Sequence, residues 1–340
     1  MLRRFLCVTI IILLLVLPGC NIYAPKAEPV SPITIGTTQS EPKYLFAVNS
    51  AEVAVATLFC EKVWDLSDGT LSIGVIETAD PHNALTNDEA ALAFLSAAEL
   101  RQYNDCFDAF LAPFAFRDYS HLTMSSNYQP LFDIANQELE TLHVFGGFYF
   151  GSSYFLASQP LADHQQILSL FFDEEAIPAA LTLPNSRITE GFRRFGFDTR
   201  EVISADERFL LLENAEAVIA EFTTRELIAS SEWLNSNLTF INVPHNFNIA
   251  WLTGTRTFYS ELTPKQKAAV LEAQSHMFAL LDESCLRDEN RIVQGLSVQN
   301  FATSTLPEAF RTGCNNTYFS LLESSPLFDY AITQIEKIRQ

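Results

Sequence analysis

Short apolar runs of strand length alternate along this 340-residue chain with segments whose apolar residues recur at helical spacing. YLFAVN (44–49) is the first run, helical spacing follows over 53–63, and LSIGVIE (71–77) is the second run. This alternation is typical of α/β folds, because each helix returns the chain to the same end of the sheet for the next parallel strand. The pattern therefore predicts an α/β fold.

The alternation continues through the rest of the chain. A capping pattern at 86–89 predicts a helix that extends to about residue 103, and DAFLAPFAF (108–116) is predicted as a third strand. Thr263 and Pro264 begin a long helix, since threonine is a favoured cap and proline fits the first helical position. Further helices are predicted at about 120–140, 185–195, 206–214 and 224–234, with strands at 141–150, 178–182, 217–221 and 246–253 between them.

The first twenty residues have the layout of an export signal. Arg3 and Arg4 precede an apolar run that is short for a membrane span, and the run leads to LPGC, which resembles the processing box of bacterial lipoproteins. We predict a lipoprotein signal peptide over 1–19, lipidation at Cys20, and a flexible linker over 20–43 that holds the protein at the periplasmic face of a bacterial membrane. The alternative is an ordinary signal peptide with an incidental cysteine.

Charge and missing motifs exclude several classes of function. The chain has 41 acidic and 21 basic residues, which gives a formal net charge of −20 and argues against nucleic acid as a partner. The His and Cys spacings of metal sites do not occur, and neither do GxSxG, HExxH or a glycine-rich phosphate loop. We therefore expect no metal, no cofactor and no catalytic residue, in a protein that is not an enzyme.

Four cysteines remain after the signal segment. In an oxidising compartment an even number of cysteines suggests disulfide bonds. Of the three possible pairings, we prefer the one within each half of the chain, Cys60 with Cys106 and Cys285 with Cys314. Buried free thiols are the alternative.

Five stretches, in order and at sensible spacing over about 44–280, resemble the extracytoplasmic solute-binding proteins of TRAP transporters, the dicarboxylate-receptor family. They are LFCEKVWDLSDGTLSIGVIE, FLAPFAFRDYSHL, LHVFGGFYFGSSYFLASQPL, ITEGFRRFGFDTREVISADERFLLLENAEAVIAEF and NVPHNFNIAWLTGTRTFYSELTPKQKAAVLEA. P-F-x-F-R-D, within the second stretch, is the most specific single match. The third stretch would connect two lobes, so Gly151 is a candidate flexible point or a strand bulge.

The resemblance implies a two-lobed periplasmic binding protein-like fold, with mixed sheets and a long helix that spans the lobes. Lobe I would comprise 44–157 and 243–262, and lobe II would comprise 158–242 and 263–340 with a C-terminal helical extension. The function implied is a receptor that captures a small ligand by lobe closure and delivers it to the membrane subunits of a TRAP permease. The alternative is a binding-protein-like lipoprotein that has lost transport and docks a partner.

The chain departs from the family where the ligand would bind. The family places an arginine at the mouth of a lobe II strand to clamp a carboxylate, and the aligned position here is Thr182. We therefore predict that the ligand is neutral or amphipathic rather than a simple dicarboxylate, with Arg187 as a substitute cation. The candidate ligand-binding residues are Phe148, Phe150, Tyr154, Thr182, Asn185, Arg187, Glu221, Phe222, His245 and Asn246. For the aromatic residues among them, core packing is the alternative.

Overall fold

The structure is a computed structural model. It describes residues 41–339, with the exception of 51, 117, 127–132, 134, 138, 159–178, 184–185, 231–232, 234–235, 237, 299–307 and 322–325. The predicted signal peptide, the lipidation site Cys20 and the predicted linker up to residue 40 lie outside the described residues. None of the described helices is both long enough and apolar enough to cross a membrane.

Eight strands form one mixed sheet, in the order β2-β1-β3-β8-β4-β7-β5-β6. The strands are β1 (Tyr44–Val48), β2 (Ile73–Glu77), β3 (Leu92–Ser96), β4 (Leu142–Ala157), β5 (Ala179–Thr182), β6 (Asp198–Glu201), β7 (Ile219–Thr223) and β8 (Thr239–Thr255). Strands β2, β1 and β3 are parallel and make up the first parallel set, and β7, β5 and β6 make up the second. The long strands β4 and β8 pair antiparallel with each other and join the two sets.

Helices cover both faces of this sheet. They are α1 (Val53–Leu66), α2 (Pro81–Thr86), α3 (Ala97–Leu100), α4 (Tyr119–Ser126), α5 (Ile188–Arg194), α6 (Ala205–Glu213), α7 (Thr224–Ala229), α8 (Arg256–Glu261), α9 (Pro264–Val298), α10 (Glu308–Leu321) and α11 (Pro326–Arg339), with a 3₁₀ helix at Asp105–Leu111. The short helices α3 and α7 each begin with a capping box, Ser96 with Glu99 and Thr223 with Glu226. These reciprocal bonds satisfy the free N–H groups of the first turn.

Helix α9 connects the two parallel sets. Near its beginning Val270 packs in the same apolar cluster as Phe46 of β1, and nearer its end Ile292 packs with Phe222 of β7. The architecture is therefore the predicted one, an α/β two-lobed fold with a mixed sheet and a long helix that spans the lobes.

The C-terminal helices divide between the two sets, although the sequence analysis assigned 263–340 to lobe II. Helix α10 packs against α5 through Phe310, in the cluster of the second set. Helix α11 instead packs with the first set, where Nε2 of His121 lies 2.8 Å from the carbonyl oxygen of Ile335. The last helix thus packs on the first parallel set, which contains β1.

Strand alternation sorts the apolar residues into clusters on either face of the sheet. In β1, Phe46 contributes to one cluster and Ala47 to the other. In β4, Phe148 and Phe150 share a face and Tyr149 points to the opposite one, as the sequence predicts.

Three local predictions are wrong. The segment 92–96 was predicted as part of a helix but forms strand β3. It pairs with β1 on one side and β8 on the other, and burial between these strands outweighs helical propensity. The segment 108–116 was predicted as a strand, but its first four residues form the end of the 3₁₀ helix and the chain then turns at Phe114. The φ of Phe114 is 59°, which is incompatible with a strand. Strand β6 was missed because DTRE is polar and largely exposed at the edge of the sheet.

The four cysteines are free thiols, which corrects the predicted disulfide pairing. Cys60 and Cys106 belong to core clusters on opposite faces of the sheet. Cys314 packs in the cluster of the second set, while Cys285 packs against that of the first. The linear sequence does not reveal where a cysteine will pack: the faces of the sheet separate Cys60 from Cys106, and the two parallel sets separate Cys285 from Cys314.

Candidate functional site

A cavity of about 460 Å³, which we call the cleft, opens where the carboxyl ends of both parallel sets meet β4 and β8. Asn49 follows β1, Ser96 ends β3 and Thr223 ends β7. Open α/β sheets bind ligands at this end of their strands, because the connecting loops diverge there and helix N-termini face the gap. The remaining lining is Glu52, Ala79, Pro81, Phe94, Leu95, Ala97, Glu99, Phe110, Leu111, Phe150, Arg225 and residues 246–250.

Arg225 is the cation among the described residues of the cleft. It lies two residues beyond the end of β7, in the first turn of α7, and its guanidinium carbon lies 3.6 Å from the ring centroid of Phe150. The residue is exposed to solvent, and its guanidinium stays protonated, as arginine does in proteins. No carboxylate among the described residues forms an ion pair with it. The cleft therefore presents a positive charge fixed on an aromatic ring.

Two carboxyl groups of the cleft lining already accept hydrogen bonds from nearby backbone N–H groups. Oε2 of Glu52 accepts a 3.2 Å hydrogen bond from the backbone N–H of Asn49, and burial raises the pKa of this carboxyl above its ordinary value. Oε2 of Glu99 accepts from both the backbone N–H and the hydroxyl of Ser96, at 2.6 and 2.7 Å. Both carboxylates make the cleft unfavourable for a highly charged anion.

The strand β8 supplies amide groups to the cleft. Oδ1 of Asn246 is buried and has no hydrogen-bond partner among the described residues. Asn248 donates to the Ser153 hydroxyl across a long 3.4 Å distance. An unpaired buried polar atom costs free energy, and a ligand that donates a hydrogen bond to Asn246 would remove this cost.

Two of the ten predicted ligand-binding residues, Phe150 and Asn246, line the cleft. Phe148 is 2% exposed and packs between Phe94 and Phe278 in the core. Tyr154 and Phe222 are likewise buried, in the cluster of the second set. Arg187 is partly exposed but is not part of the cleft lining. Asn185 lies outside the described residues.

The three polar candidates beside β5 and β7 bond to the protein rather than face the cleft. Oε1 of Glu221 lies 2.7 Å from Nε2 of His245, and both side chains are almost fully buried. Glu221 also accepts from the backbone N–H of Leu183 at 2.9 Å. The Thr189 hydroxyl donates to the fully buried Thr182 hydroxyl at 3.0 Å. The fold already occupies the side-chain oxygens of Thr182 and Glu221 and Nε2 of His245, whereas Nδ1 of His245 is buried without a partner among the described residues. A ligand-binding role for Thr182, Glu221 and His245 stays a prediction.

Sequence reasoning missed Arg225, Glu52 and Glu99. The sequence contains one indication that Arg225 could bind a ligand, which is its position. It comes just after a strand that ends at the ligand-binding edge of the sheet. The comparison with the family's arginine favoured the strand that ends at Thr182, and on β7 it selected Glu221 and Phe222 rather than the residues just beyond Thr223.

Behind the cleft, a hydrogen-bonded group joins α9 to the crossing strands. The Tyr149 hydroxyl lies 2.5 Å from the Ser152 hydroxyl and donates to a carboxylate oxygen of Glu289. The Thr224 hydroxyl contacts the backbone of Ser152 and the same Glu289 oxygen. Between them Gly151 has a φ of 101°, at a shift in the register of β4 and β8. The irregularity lies where the chain passes from one parallel set to the other.

Metal binding receives no support from the described part of the chain, where no group of three His, Cys, Asp or Glu side chains is placed to hold an ion.

The fold is that of TRAP periplasmic solute-binding proteins. A structure from Escherichia fergusonii, in an apo open form, has a TM-score of 0.70 and 15% identity over 87% of this chain and 99% of that one. A structure from Desulfovibrio desulfuricans with bound sn-glycerol-3-phosphate has a TM-score of 0.68 and 13% identity, over 87% and 97% of the two chains.

A third similar structure, from Ochrobactrum anthropi, has its C-terminus bound in the ligand-binding pocket. Its TM-score is 0.70 at 15% identity, over 87% of this chain and 95% of that one. No family model matches the sequence, and no curated protein does. At these identities the likeness establishes the fold.

Proposed function

We propose that this chain is an extracytoplasmic receptor that captures a small solute by closure of its two lobes and delivers it to the membrane subunits of an ion-driven TRAP permease. The observation that carries this proposal is the cleft, in which Arg225 lies over Phe150 at the carboxyl ends of both parallel sets. A ligand that contacts both sides stabilises the closed state, because only that state makes all the contacts.

The lining of the cleft limits the charge of the ligand. A dicarboxylate would bring two negative charges to one guanidinium and two carboxyl groups, so one of its ends would lack a cation. Burying an unpaired carboxylate costs several kcal/mol, on the order of a hundredfold or more in affinity. The proposed ligand therefore carries at most one negative charge, which contacts Arg225, together with a hydrogen-bond donor that reaches Asn246.

The aromatic rings of the cleft suit an apolar portion of the ligand. Phe94, Phe110, Phe150 and Phe247 all contribute to the lining, and the cavity volume lies within the range of roughly 300–1,000 Å³ usual for small-molecule sites. Neutral, zwitterionic or singly charged amphipathic compounds are thus the proposed ligand class.

The N-terminal sequence supports export and anchoring. The basic start, the apolar run and LPGC are the features from which we propose a lipoprotein tethered through Cys20 at the periplasmic face of a membrane. A tethered receptor stays close to its permease, so a flexible linker over 20–43 raises the local concentration of the loaded form.

The test is a thermal-shift and calorimetric screen of the full chain, extracted from membranes in detergent. The panel contains succinate, monocarboxylates, zwitterions and neutral amphipathic compounds. We expect at least one compound with no more than one negative charge to stabilise the protein, by about 2.7 kcal/mol at a hundredfold excess over Kd, and succinate to have no effect. Stabilisation by succinate contradicts the proposed ligand class, and the absence of any stabilising compound contradicts the receptor itself.

A further inference from the structure

A second cavity, of about 530 Å³, lies outside the cleft where β4 and α9 begin. We call it the Lys267 pocket. His143 contributes from β4, Arg256 and Tyr259 from α8, and Lys267 and Leu271 from the first turns of α9. Among the described residues it shares no lining residue with the cleft. It therefore belongs to one side of the molecule, and lobe closure need not assemble it.

Tyr259 forms the rigid centre of this pocket. Its ring stacks on the ring of His143, with centroids 3.6 Å apart and planes 18° from parallel. The Nζ atom of Lys267 lies 4.0 Å from the centroid of the same ring. The ammonium group is thus held in position by a cation–π contact rather than left free to sample solvent.

Among the described residues, the positive charges of the pocket have no carboxylate in an ion pair with them. Neither Lys267 nor Arg256 forms an ion pair with any described residue. Nη2 of Arg256 donates to the carbonyl oxygens of Asn136 and Leu139, which fixes the guanidinium at the wall. One carboxylate, Asp133, is among the described lining residues. In a chain with 41 acidic and 21 basic residues, two neighbouring cations without an ion pair are unusual.

The pKa of His143 reflects the burial and the positive charges of this pocket. Burial, then the charges of Arg256 and Lys267, lower the pKa of its imidazole to about 4, so the ring is neutral at physiological pH. Its buried Nδ1 atom has no partner among the described residues. A neutral ring with an unused nitrogen between two cations can contact a bound anion without adding charge.

We propose that the Lys267 pocket binds a small organic oxyanion, a carboxylate or phosphate group attached to an apolar body. Lys267 and Arg256 supply the positive charge that attracts the oxyanion. Leu271, whose side chain is 49% exposed at the lining, provides the apolar surface for the body. This site is independent of the solute bound in the cleft.

The experiment uses three probes with the same ring. Benzoate carries a carboxylate, phenyl phosphate a phosphate, and benzamide no charge. Their binding to the full chain is followed through the NMR signals of His143, with the chain in the Arg225→Gln background so that the cleft cation does not contribute. We expect benzoate or phenyl phosphate to bind and to raise the pKa of His143 from about 4, because a nearby anion favours the imidazolium.

Lys267→Gln should weaken binding of the anionic probe at least fivefold. The matched control is Lys265→Gln, since Lys265 pairs with Asp68 outside the pocket and should leave the affinity unchanged. Binding of phenyl phosphate but not benzoate assigns the site to phosphates, and the reverse assigns it to carboxylates. Equal binding of benzamide, unchanged affinity in Lys267→Gln, or no shift of the His143 pKa with saturating probe would each overturn the proposal.

Discussion

Two layers of polar side chains, which we call the inner and the outer layer, lie near the ends of β5 and β7 and beside the middle of β8. They differ in what their polar groups contact. In the inner layer the Glu221 carboxylate contacts Nε2 of His245 and accepts from Leu183 and Ser186, and Thr182 accepts from Thr189. Nδ1 of His245 is the exception in this layer, because it has no partner among the described residues. In the outer layer Arg225 covers Phe150, and Oδ1 of Asn246 has no partner among the described residues.

The difference separates residues that hold the fold from residues that remain available to a ligand. A buried group whose hydrogen bonds are already satisfied gains little from a ligand, whereas an unpaired group gains an entire interaction. Proximity to a strand end is therefore insufficient evidence for a ligand residue. The substitutions below test this division, since the inner layer should affect stability and the outer layer affinity.

The largest effect is expected for Glu221→Ala. The change leaves the His245 ring, the Leu183 N–H and the Ser186 hydroxyl without their shared acceptor. Loss of one member of a buried pair costs about 3 kcal/mol in the free energy of unfolding. Denaturant unfolding measures this loss. Normal stability with weakened ligand binding would instead place Glu221 in the ligand site.

Arg225→Gln should have the opposite signature. Removal of the guanidinium takes away a charge-assisted hydrogen bond worth about 1.5–3 kcal/mol, a roughly 10- to 150-fold loss of affinity for the tightest compound of the screen. Calorimetry measures the affinity, and the melting temperature of the free protein should stay near that of the parent. The matched control is Arg193→Gln, because Arg193 is an exposed residue of α5 that pairs with Glu190.

Thr182→Val tests the position at which the sequence comparison expected the ligand cation. Valine has nearly the shape of threonine but leaves the Thr189 hydroxyl without its acceptor, at a cost of about 1 kcal/mol in unfolding free energy. Affinity should be unchanged. A fall in affinity without a fall in stability would return Thr182 to the ligand site.

The smallest effect is expected for Phe150→Leu. Leucine keeps an apolar wall but removes the aromatic face under Arg225, and an exposed cation–π contact contributes about 0.5–1 kcal/mol. Ligand affinity should fall two- to fivefold, less than in Arg225→Gln. Combination of the two substitutions should add little to Arg225→Gln alone, because the ring acts through the guanidinium. Additive losses would show that Phe150 contacts the ligand by itself.

The sequence predicted most elements of the fold for physical reasons that are visible in it. Capping residues and apolar spacing correctly located helices such as α1, α6 and α9, and the apolar runs located β1, β2 and β5. The error at β3 arose because its first four residues, LAFL, are all apolar, so their period does not distinguish a buried strand from a buried helix. Only the neighbouring strands decide, and they are distant in sequence.

The candidate site was less accessible from the sequence. Phe150 was found because the stretch that contains β4 was predicted to connect the two lobes, and Asn246 was a further candidate that lines the cleft. The contact between Glu221 and His245 could not be predicted, because it joins positions 24 residues apart and the linear pattern contains no sign of it. Arg225 was missed because a single arginine after a strand looks like any helix-start residue until the opposite lobe is in place.

The proposed function depends most on Arg225 as the residue that contacts the solute. The most direct measurement is a crystal structure of the full chain with the tightest compound of the screen. We predict that an oxygen of the compound lies within hydrogen-bond distance of the Arg225 guanidinium, with both lobes in contact with the ligand. A compound bound elsewhere, or held in the cleft while Arg225 contacts only Phe150, would contradict the account.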